Sequence, residues 1–159
     1  IIANTKSNID LTFSEQPDGD LILQIKKFEM PTTTINLAEF GPINLPEIKF
    51  STINLKSKFQ SGKYIIENIQ LGTDQDEFHG TIKGDIDLTV QNNNGRIYPT
   101  IKGYNLYLDL LAKPEFDERA SFFLGLISQF KKEESSGFRY KVKLSASSFG
   151  TIPQMSPLR

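Results

Sequence analysis

The most constraining feature of the sequence is a strict alternation of apolar and polar residues over residues 78–91. The apolar parity consists of Phe78, Gly80, Ile82, Gly84, Ile86, Leu88 and Val90. A period of two over this length is typical of a long β-strand with one buried face and one solvated face. It favours an antiparallel sheet, because the strands of parallel sheets are covered on both faces.

Turn residues connect this strand to further strands. The run from Asn92 to Gly95 predicts a hairpin turn, because Asn and Gly tolerate positive φ angles. The return strand is expected to run from Arg96 to about Leu111, with Pro99 marking an edge or a bulge. The other predicted strands cover residues 9–13, 21–28, 48–59 (with a change of phase near Ile53), 64–71 and 138–144. The composition agrees, since Ile, Val, Phe, Tyr and Thr total 48 residues whereas Ala and Met total 7.

One segment has the helical period instead. Pro114 ends the preceding strand, and Asp117 is expected to cap a helix over residues 118–132. The apolar residues predicted to share one stripe of this helix are Phe122, Phe123, Leu126, Ile127 and Phe130. Lys131 and Lys132 suit the negative end of the helix dipole. The stripe therefore predicts a helix that covers part of the sheet.

The apolar side of the long strand requires a cover. Burying its five large side chains contributes about 7–15 kcal/mol of gross stabilisation, which is comparable to the net stability of a domain. We therefore expect residues 1–159 to form a single, mainly β domain. Its core is expected to be a strongly curved antiparallel sheet or half-barrel, with one amphipathic helix covering an apolar opening. A sandwich of two sheets is the competing architecture.

Few side chains suit catalysis or metal binding. The sequence has no Cys, and His79 is its one histidine, which we expect to be exposed to solvent on the polar side of the long strand. Asp85 and Asp87 share that side, but nothing predicts the separated pKa values that a glycosidase requires. The acidic residues near Gly19 and Asp76 lack the spacing of calcium ligands and are expected to be solvated turns. The sequence predicts no catalytic residue, no metal site and no cofactor.

The charge balance bears on the choice of partner. Lys and Arg total 18 and Asp and Glu total 19, so the net charge is −1. Arg139, Lys141 and Lys143 form a basic stripe on one strand, but a slightly acidic chain does not favour nucleic acid as a partner. No apolar run reaches the roughly 18 residues of a membrane span. Because the sequence starts at Ile1 without Met, we expect a fragment, and any signal peptide or membrane anchor would lie upstream of Ile1.

Several short glycine-centred motifs resemble a known family. They are FGPINLPEIKF at residues 40–50, SGKY at 61–64, GTIKGDIDL at 80–88, GFRY at 137–140 and GTIP at 150–153. Over residues 38–153 the chain resembles the periplasmic domain of the type II secretion system protein N (GspN) family. AsmA-like proteins, with their open β grooves, are more distantly similar.

The resemblance implies a non-enzymatic envelope component that acts in assembly or scaffolding through contacts with other secretion-system proteins. It also implies a periplasmic location, with anchoring to the inner membrane by the missing N-terminal helix. The alternative function is that of a carrier of lipid or another apolar ligand in a β groove. The residues expected to line that groove are Ile82, Ile86, Leu88, Leu106 and Leu108 from the strands, and Phe122, Phe123 and Leu126 from the helix.

Overall fold

A computed structural model describes residues 2–9, 16–37, 41–148 and 151–158. Within these ranges the chain forms eleven strands, two short α-helices and one turn of 3-10 helix. The strands are β1 (Ile2–Ser7), β2 (Gly19–Met30), β3 (Thr33–Leu37), β4 (Gly41–Leu45), β5 (Ile48–Gln60), β6 (Lys63–Leu71), β7 (Phe78–Asn93), β8 (Arg96–Ala112), β9 (Lys131–Glu134), β10 (Gly137–Ala146) and β11 (Gln154–Pro157). The helices are α1 (Pro114–Arg119) and α2 (Ser121–Gly125), followed by the 3-10 turn Ser128–Phe130.

Nine strands form one antiparallel sheet in the order β1-β2-β5-β6-β7-β8-β10-β11, with β9 pairing β10 beside β11. The strands β3 and β4 form a separate hairpin between β2 and β5. The mainly β, antiparallel architecture predicted from the alternation is thus confirmed. The predicted strands at residues 21–28, 48–59, 64–71, 78–91, 96–111 and 138–144 are all present, with ends shifted by at most two residues.

The sheet is not a half-barrel. It is neither closed nor strongly curled, and β1 and β11 lie at opposite ends of the strand order without pairing. The expectation of strong curvature was therefore wrong. It assumed that the whole apolar side must be covered from within the fold, whereas the described elements cover only one end of it. The described residues do not form a sandwich of two large sheets either. Their one other sheet is the two-stranded hairpin of β3 and β4.

The prediction of one helix over residues 118–132 was wrong as well. The first helix begins at Pro114 with Lys113 at its N-cap, and it ends at Ala120, whose φ of −95° and ψ of 12° leave the helical region. A second helix then starts at Ser121 and ends near Gly125. Lys131 and Lys132 begin β9 and do not end a helix. Asp117 lies inside the first helix, and its carboxylate contacts Tyr140 and Lys131 and caps nothing.

Strands β1, β3, β4, β9 and β11 were not predicted. Each has six residues or fewer, which is too short for alternation to stand out. A strand over residues 9–13 was predicted, but Leu11 and Phe13 lie outside the described residues, and Ile9 follows the end of β1. Phe40 and Gly150, from the motifs quoted above, are also outside. In the part of the chain that the structure describes, none of the helices has the length and apolar character needed to cross a lipid bilayer.

Candidate functional site: an open apolar face

The strand register brings the apolar residues of six neighbouring strands onto one side of the sheet. Ile82 of β7, for example, lies opposite Ile69 of β6 and Leu108 of β8, and Leu108 lies opposite Val142 of β10. Directly opposed residues of an antiparallel pair point to the same side. We call this side the apolar face; its members include Leu23, Ile25, Ile53, Leu55, Ile66, Ile69, Ile82, Ile86, Leu88, Leu106, Leu108, Val142 and Leu144.

The segment from Pro114 to Phe130, which we call the lid, covers one end of the apolar face. Phe116, Ala120 and Leu124 are its buried side chains, and they pack with Leu110 and Tyr140 of the sheet. The ring of Phe116 stacks on that of Phe78, with centroids 4.8 Å apart. The lid and the end of the sheet beneath it thus form the main hydrophobic core of the described residues.

A buried polar contact fastens the lid to the sheet. The hydroxyl of Tyr140 donates a hydrogen bond to the carboxylate of Asp117, and the ammonium of Lys131 donates a second. Tyr140 is 1% exposed. Burial raises the pKa of Tyr140, and the neighbouring Asp117 carboxylate raises it further, so the hydroxyl stays protonated and keeps donating.

Beyond the lid, no other helix of the described residues packs on the apolar face. Among the described elements only the lid packs on this side, and its contacts with the sheet end near Leu108. Ile82, Ile86, Leu106 and Leu144 are each only partly buried, by their neighbours within the sheet. Ile66 is 6% exposed and Ser57, opposite it, is 1% exposed, so part of the face away from the lid is buried and the rest is half-buried.

Two glycines of β7 lie on the apolar face. Gly80 and Gly84 have φ angles of 155° and 140°, and a Cβ atom at either would overlap the carbonyl oxygen of Asp109 or Asn105 on β8. The local backbone therefore requires glycine, and neither position carries a side chain. The glycines flank Ile82, with Ile66, Ile69 and Leu71 of β6 on one side and Leu106, Leu108 and Leu110 of β8 on the other. Leu71, Leu108 and Leu110 already pack with the lid.

The structure brings five of the eight predicted groove residues together and separates the other three. Ile82, Ile86, Leu88, Leu106 and Leu108 all lie on the apolar face. On the lid, Phe122 is 49% exposed and Leu126 is 62% exposed, and the ring of Phe123 packs against that of Phe122. Of the predicted apolar stripe, Ile127 packs against the core, whereas Phe122 and Leu126 are exposed. The buried side chains of the lid are instead Phe116, Ala120 and Leu124.

Sequence reasoning missed several residues of this site. Phe116 was not proposed, although an apolar residue two positions after Pro114 fits the first turn of a helix that starts there. Tyr64 and Tyr104 were not proposed either. Both lie directly opposite Ile86, and this relation depends on the registers of β6 and β8 and not on any local pattern.

The opposite side of the sheet, the polar face, carries its charges in ion pairs. The ammonium of Lys63 lies 3.4 Å from the carboxylate of Asp85 and 3.1 Å from that of Asp87. The guanidinium of Arg139 lies 2.6 Å from the carboxylate of Asp109, which is also 3.5 Å from the ammonium of Lys141. The acidic pair and most of the basic stripe noticed in the sequence are therefore neutralised by neighbouring strands.

His79 is not the exposed residue that the sequence predicts. It is partly buried opposite Leu111, and its Nδ1 atom is buried without a hydrogen-bond partner among the described residues. The described residues also contain no group of three or more His, Asp or Glu side chains with the arrangement of a metal site. No acid or nucleophile within the described ranges forms a hydrogen bond or an ion pair with His79.

The acidic loop around Asp76 is also different from the solvated turn that was expected. Its carboxylate accepts hydrogen bonds from the backbone N–H of Thr73 at 2.7 Å and from the hydroxyl of Ser51 at 2.7 Å. Burial alone raises the pKa of Asp76, but the hydrogen bonds from Ser51 and Thr73 together outweigh burial and lower it. This carboxylate holds the β6–β7 connection against β5.

Comparison of the chain with protein-family models, with curated proteins and with solved structures found no match. The resemblance to the GspN family therefore stays a prediction from short motifs, and the apolar face is the feature on which a functional conclusion can be built.

Proposed function

We propose that this protein is a non-catalytic binding module that holds a lipid or another hydrocarbon-rich molecule against its apolar face. The observation that carries this proposal is the continuous row of apolar side chains across six strands, on which the lid is the one described helical segment that packs, and which stays half-buried around Ile82 and Ile86. Soluble monomers rarely expose apolar patches larger than a few hundred Å², and larger patches mark binding sites.

The arrangement of the charges supports a binding role over a catalytic one. The carboxylates of Asp85, Asp87 and Asp109 are held in ion pairs on the polar face, on the side of the sheet opposite the apolar face. The central strands of the apolar face present only hydrocarbon and glycine between Ile86 and the lid. Such a surface attracts a ligand by excluding water, since each buried CH₂ group contributes about 0.8 kcal/mol.

The test is mass spectrometry of lipids extracted from the purified protein, with two matched variants. Leu106→Glu places a charge on the apolar face beside Gly84, whereas Ile22→Glu places the same charge on the polar face, where Ile22 is 45% exposed. We expect lipid to co-purify in stoichiometric amount with the parent and with Ile22→Glu, and to be lost from Leu106→Glu. Circular dichroism confirms that each variant is folded.

Absence of lipid from all preparations, together with failure of the parent to bind added fatty acid, contradicts the proposal. Equal retention of lipid by both variants contradicts the assignment to the apolar face.

A second candidate follows from the motif resemblance, namely a periplasmic, membrane-anchored component of a type II secretion system that contacts other secretion-system proteins. The observation that favours it is the edge strand β1. All six of its side chains are exposed, and among the described strands only β2 pairs with it. Such an edge offers backbone N–H and C=O groups to an added strand.

Capture of secretion-system components from a detergent extract of envelopes tests this candidate. We expect Asn4→Pro in β1 to abolish capture, since proline removes a backbone donor and disrupts strand pairing, and Asn44→Pro in the separate hairpin to leave it intact. Unchanged capture by the Asn4→Pro variant contradicts edge pairing.

A further inference from the structure

A cavity of about 520 Å³, which we call the polar cavity, opens on the polar face. It is lined by residues of β7, β8, β10 and β11 and of the loop from β10 to β11. Asn105 of β8 lies opposite Ser145 of β10, which lies opposite Gln154 of β11. Because Asn105 also lies opposite Asp85, this row of side chains belongs to the polar face. The volume is within the range of about 300–1,000 Å³ that is usual for small-molecule sites.

The hydrogen-bonding groups of this row are not used within the described part of the chain. The side chains of Asn105, Ser145 and Gln154 form no hydrogen bond with another residue that the structure describes. Their polar atoms are accessible, since the one buried side-chain polar atom without a partner in those ranges is His79 Nδ1. Each amide has donors and an acceptor, and the serine hydroxyl is both. The row therefore offers donors and acceptors, without a charge, to a ligand.

Asp87 is the one charged residue among the described residues that line the polar cavity. Its carboxylate lies 3.1 Å from the ammonium of Lys63, which also contacts Asp85. Gly103 lies opposite Asp87 on β8, so no β8 side chain separates this carboxylate from the end of β10. A phosphate or carboxylate ligand would need cations, and none of the described lining residues is Lys or Arg. The polar cavity therefore disfavours anions and favours a neutral ligand whose hydroxyls donate to Asp87.

We infer that the polar cavity binds a neutral saccharide. Every sugar hydroxyl both donates and accepts a hydrogen bond, which matches the amides of Asn105 and Gln154 and the hydroxyl of Ser145. The carboxylate of Asp87 accepts a charge-assisted hydrogen bond from a further hydroxyl. Ile152 adds carbon surface for the C–H groups of a sugar ring. The site lies on the side of the sheet opposite the apolar face, so it is independent of the proposed lipid binding.

Nuclear magnetic resonance titration of the isotope-labelled full chain with glucose, maltotriose and chitotriose tests this inference. The side-chain amide signals of Asn105 and Gln154 are expected to shift on addition of at least one sugar. The side-chain amide signal of Asn68, which lies opposite Lys56 on the polar face but outside the polar cavity, is expected to stay in place. Shifts with glucose support a free monosaccharide as the ligand, and shifts with the trisaccharides alone support a glycan chain. No shift with any sugar, or a shift with inorganic phosphate instead, overturns the inference while leaving lipid binding intact.

Truncation of the amides tests their role directly. We expect Asn105→Ala and Gln154→Ala each to raise the dissociation constant of the sugar that shifts the signals by about tenfold, the effect of losing two hydrogen bonds. Asn68→Ala removes the same group outside the polar cavity and is expected to leave the constant unchanged. Gln154 is exposed on the edge strand β11, so its truncation keeps the test decisive even where Asn105→Ala fails to fold. An unchanged constant in either folded cavity variant overturns the assignment of the site.

Discussion

Asp76 is an acidic residue whose contribution depends on its charge. Its carboxylate gathers hydrogen bonds from Ser51 and Thr73, and the net effect is a pKa below the ordinary value. A lowered pKa in the folded state means that the carboxylate stabilises the fold above the unfolded-state pKa of about 3.9. This stabilisation is lost as the pH falls through the lower, folded-state pKa.

We therefore expect Asp76→Asn to lower the free energy of unfolding by about 1 kcal/mol at pH 7, a value that allows for solvent screening of a partly exposed group. The difference from the parent should shrink as the pH falls through the folded-state pKa, which lies below the ordinary value. Urea unfolding at a series of pH values measures it. Asp74→Asn, in the same loop but exposed, is the control and should match the parent throughout. A deficit that persists undiminished in acid contradicts the role of the charge.

At the scale of elements, the two faces of the lid have different consequences for stability. Phe116 is 4% exposed and stacks on Phe78, whereas Phe122 is 49% exposed. We expect Phe116→Ala to cost about 3–5 kcal/mol, because it leaves a cavity between lid and sheet, and Phe122→Ala to change stability by less than about 0.5 kcal/mol. Equilibrium urea unfolding of both variants measures this. Comparable losses would show that the lid packs through the stripe expected from the sequence.

The same elements show how far local patterns can be trusted. The strands β7 and β8 were predicted because their alternation is long, and parity gives the face of most of their residues; a register shift beside Asp87 and Leu88 changes the phase in β8. The lid was mispredicted because apolar residues at positions 122, 123, 126 and 127 also fit a helix. Its actual course is set by the break at Ala120 and by the contact of Asp117 with Tyr140, a residue 23 positions away. Such tertiary contacts override local propensity.

The candidate site was predictable in part for the same reason. Ile82, Ile86 and Leu88 follow from the parity of β7, and Leu106 and Leu108 from that of β8. That Tyr64 and Tyr104 both lie opposite Ile86 depends on the register of three strands, including a bulge in β6 near Glu67. A single sequence does not specify a register that depends on a bulge.

At the scale of the whole molecule, the openness of the sheet could not be read from the sequence. The alternation of apolar and polar residues predicts that one side of the sheet is apolar. It does not indicate whether that side is covered by curvature, by a second sheet or by a ligand. The described residues show a cover over one end alone.

The single-layer sheet predicts a gradient of local stability. The strands β7 and β8 are paired on both sides, whereas β1 and β11 each have one partner among the described strands. We expect amide hydrogen exchange to be slowest in β7 and β8 and fastest in β1 and β11, because edge strands open without disturbing the centre. Exchange measured by mass spectrometry checks this order. Protection of β1 equal to that of β7 contradicts it.

The order of the strands in space follows their order along the chain almost without exception, interrupted only by the β3–β4 hairpin and by the lid with β9. Most strands therefore pair with the strand that precedes them in the chain, and the loops that join such pairs are short. Low contact order of this kind speeds folding relative to other all-β topologies. Strand pairing can therefore proceed from the N-terminal strands onward while the chain is being synthesised.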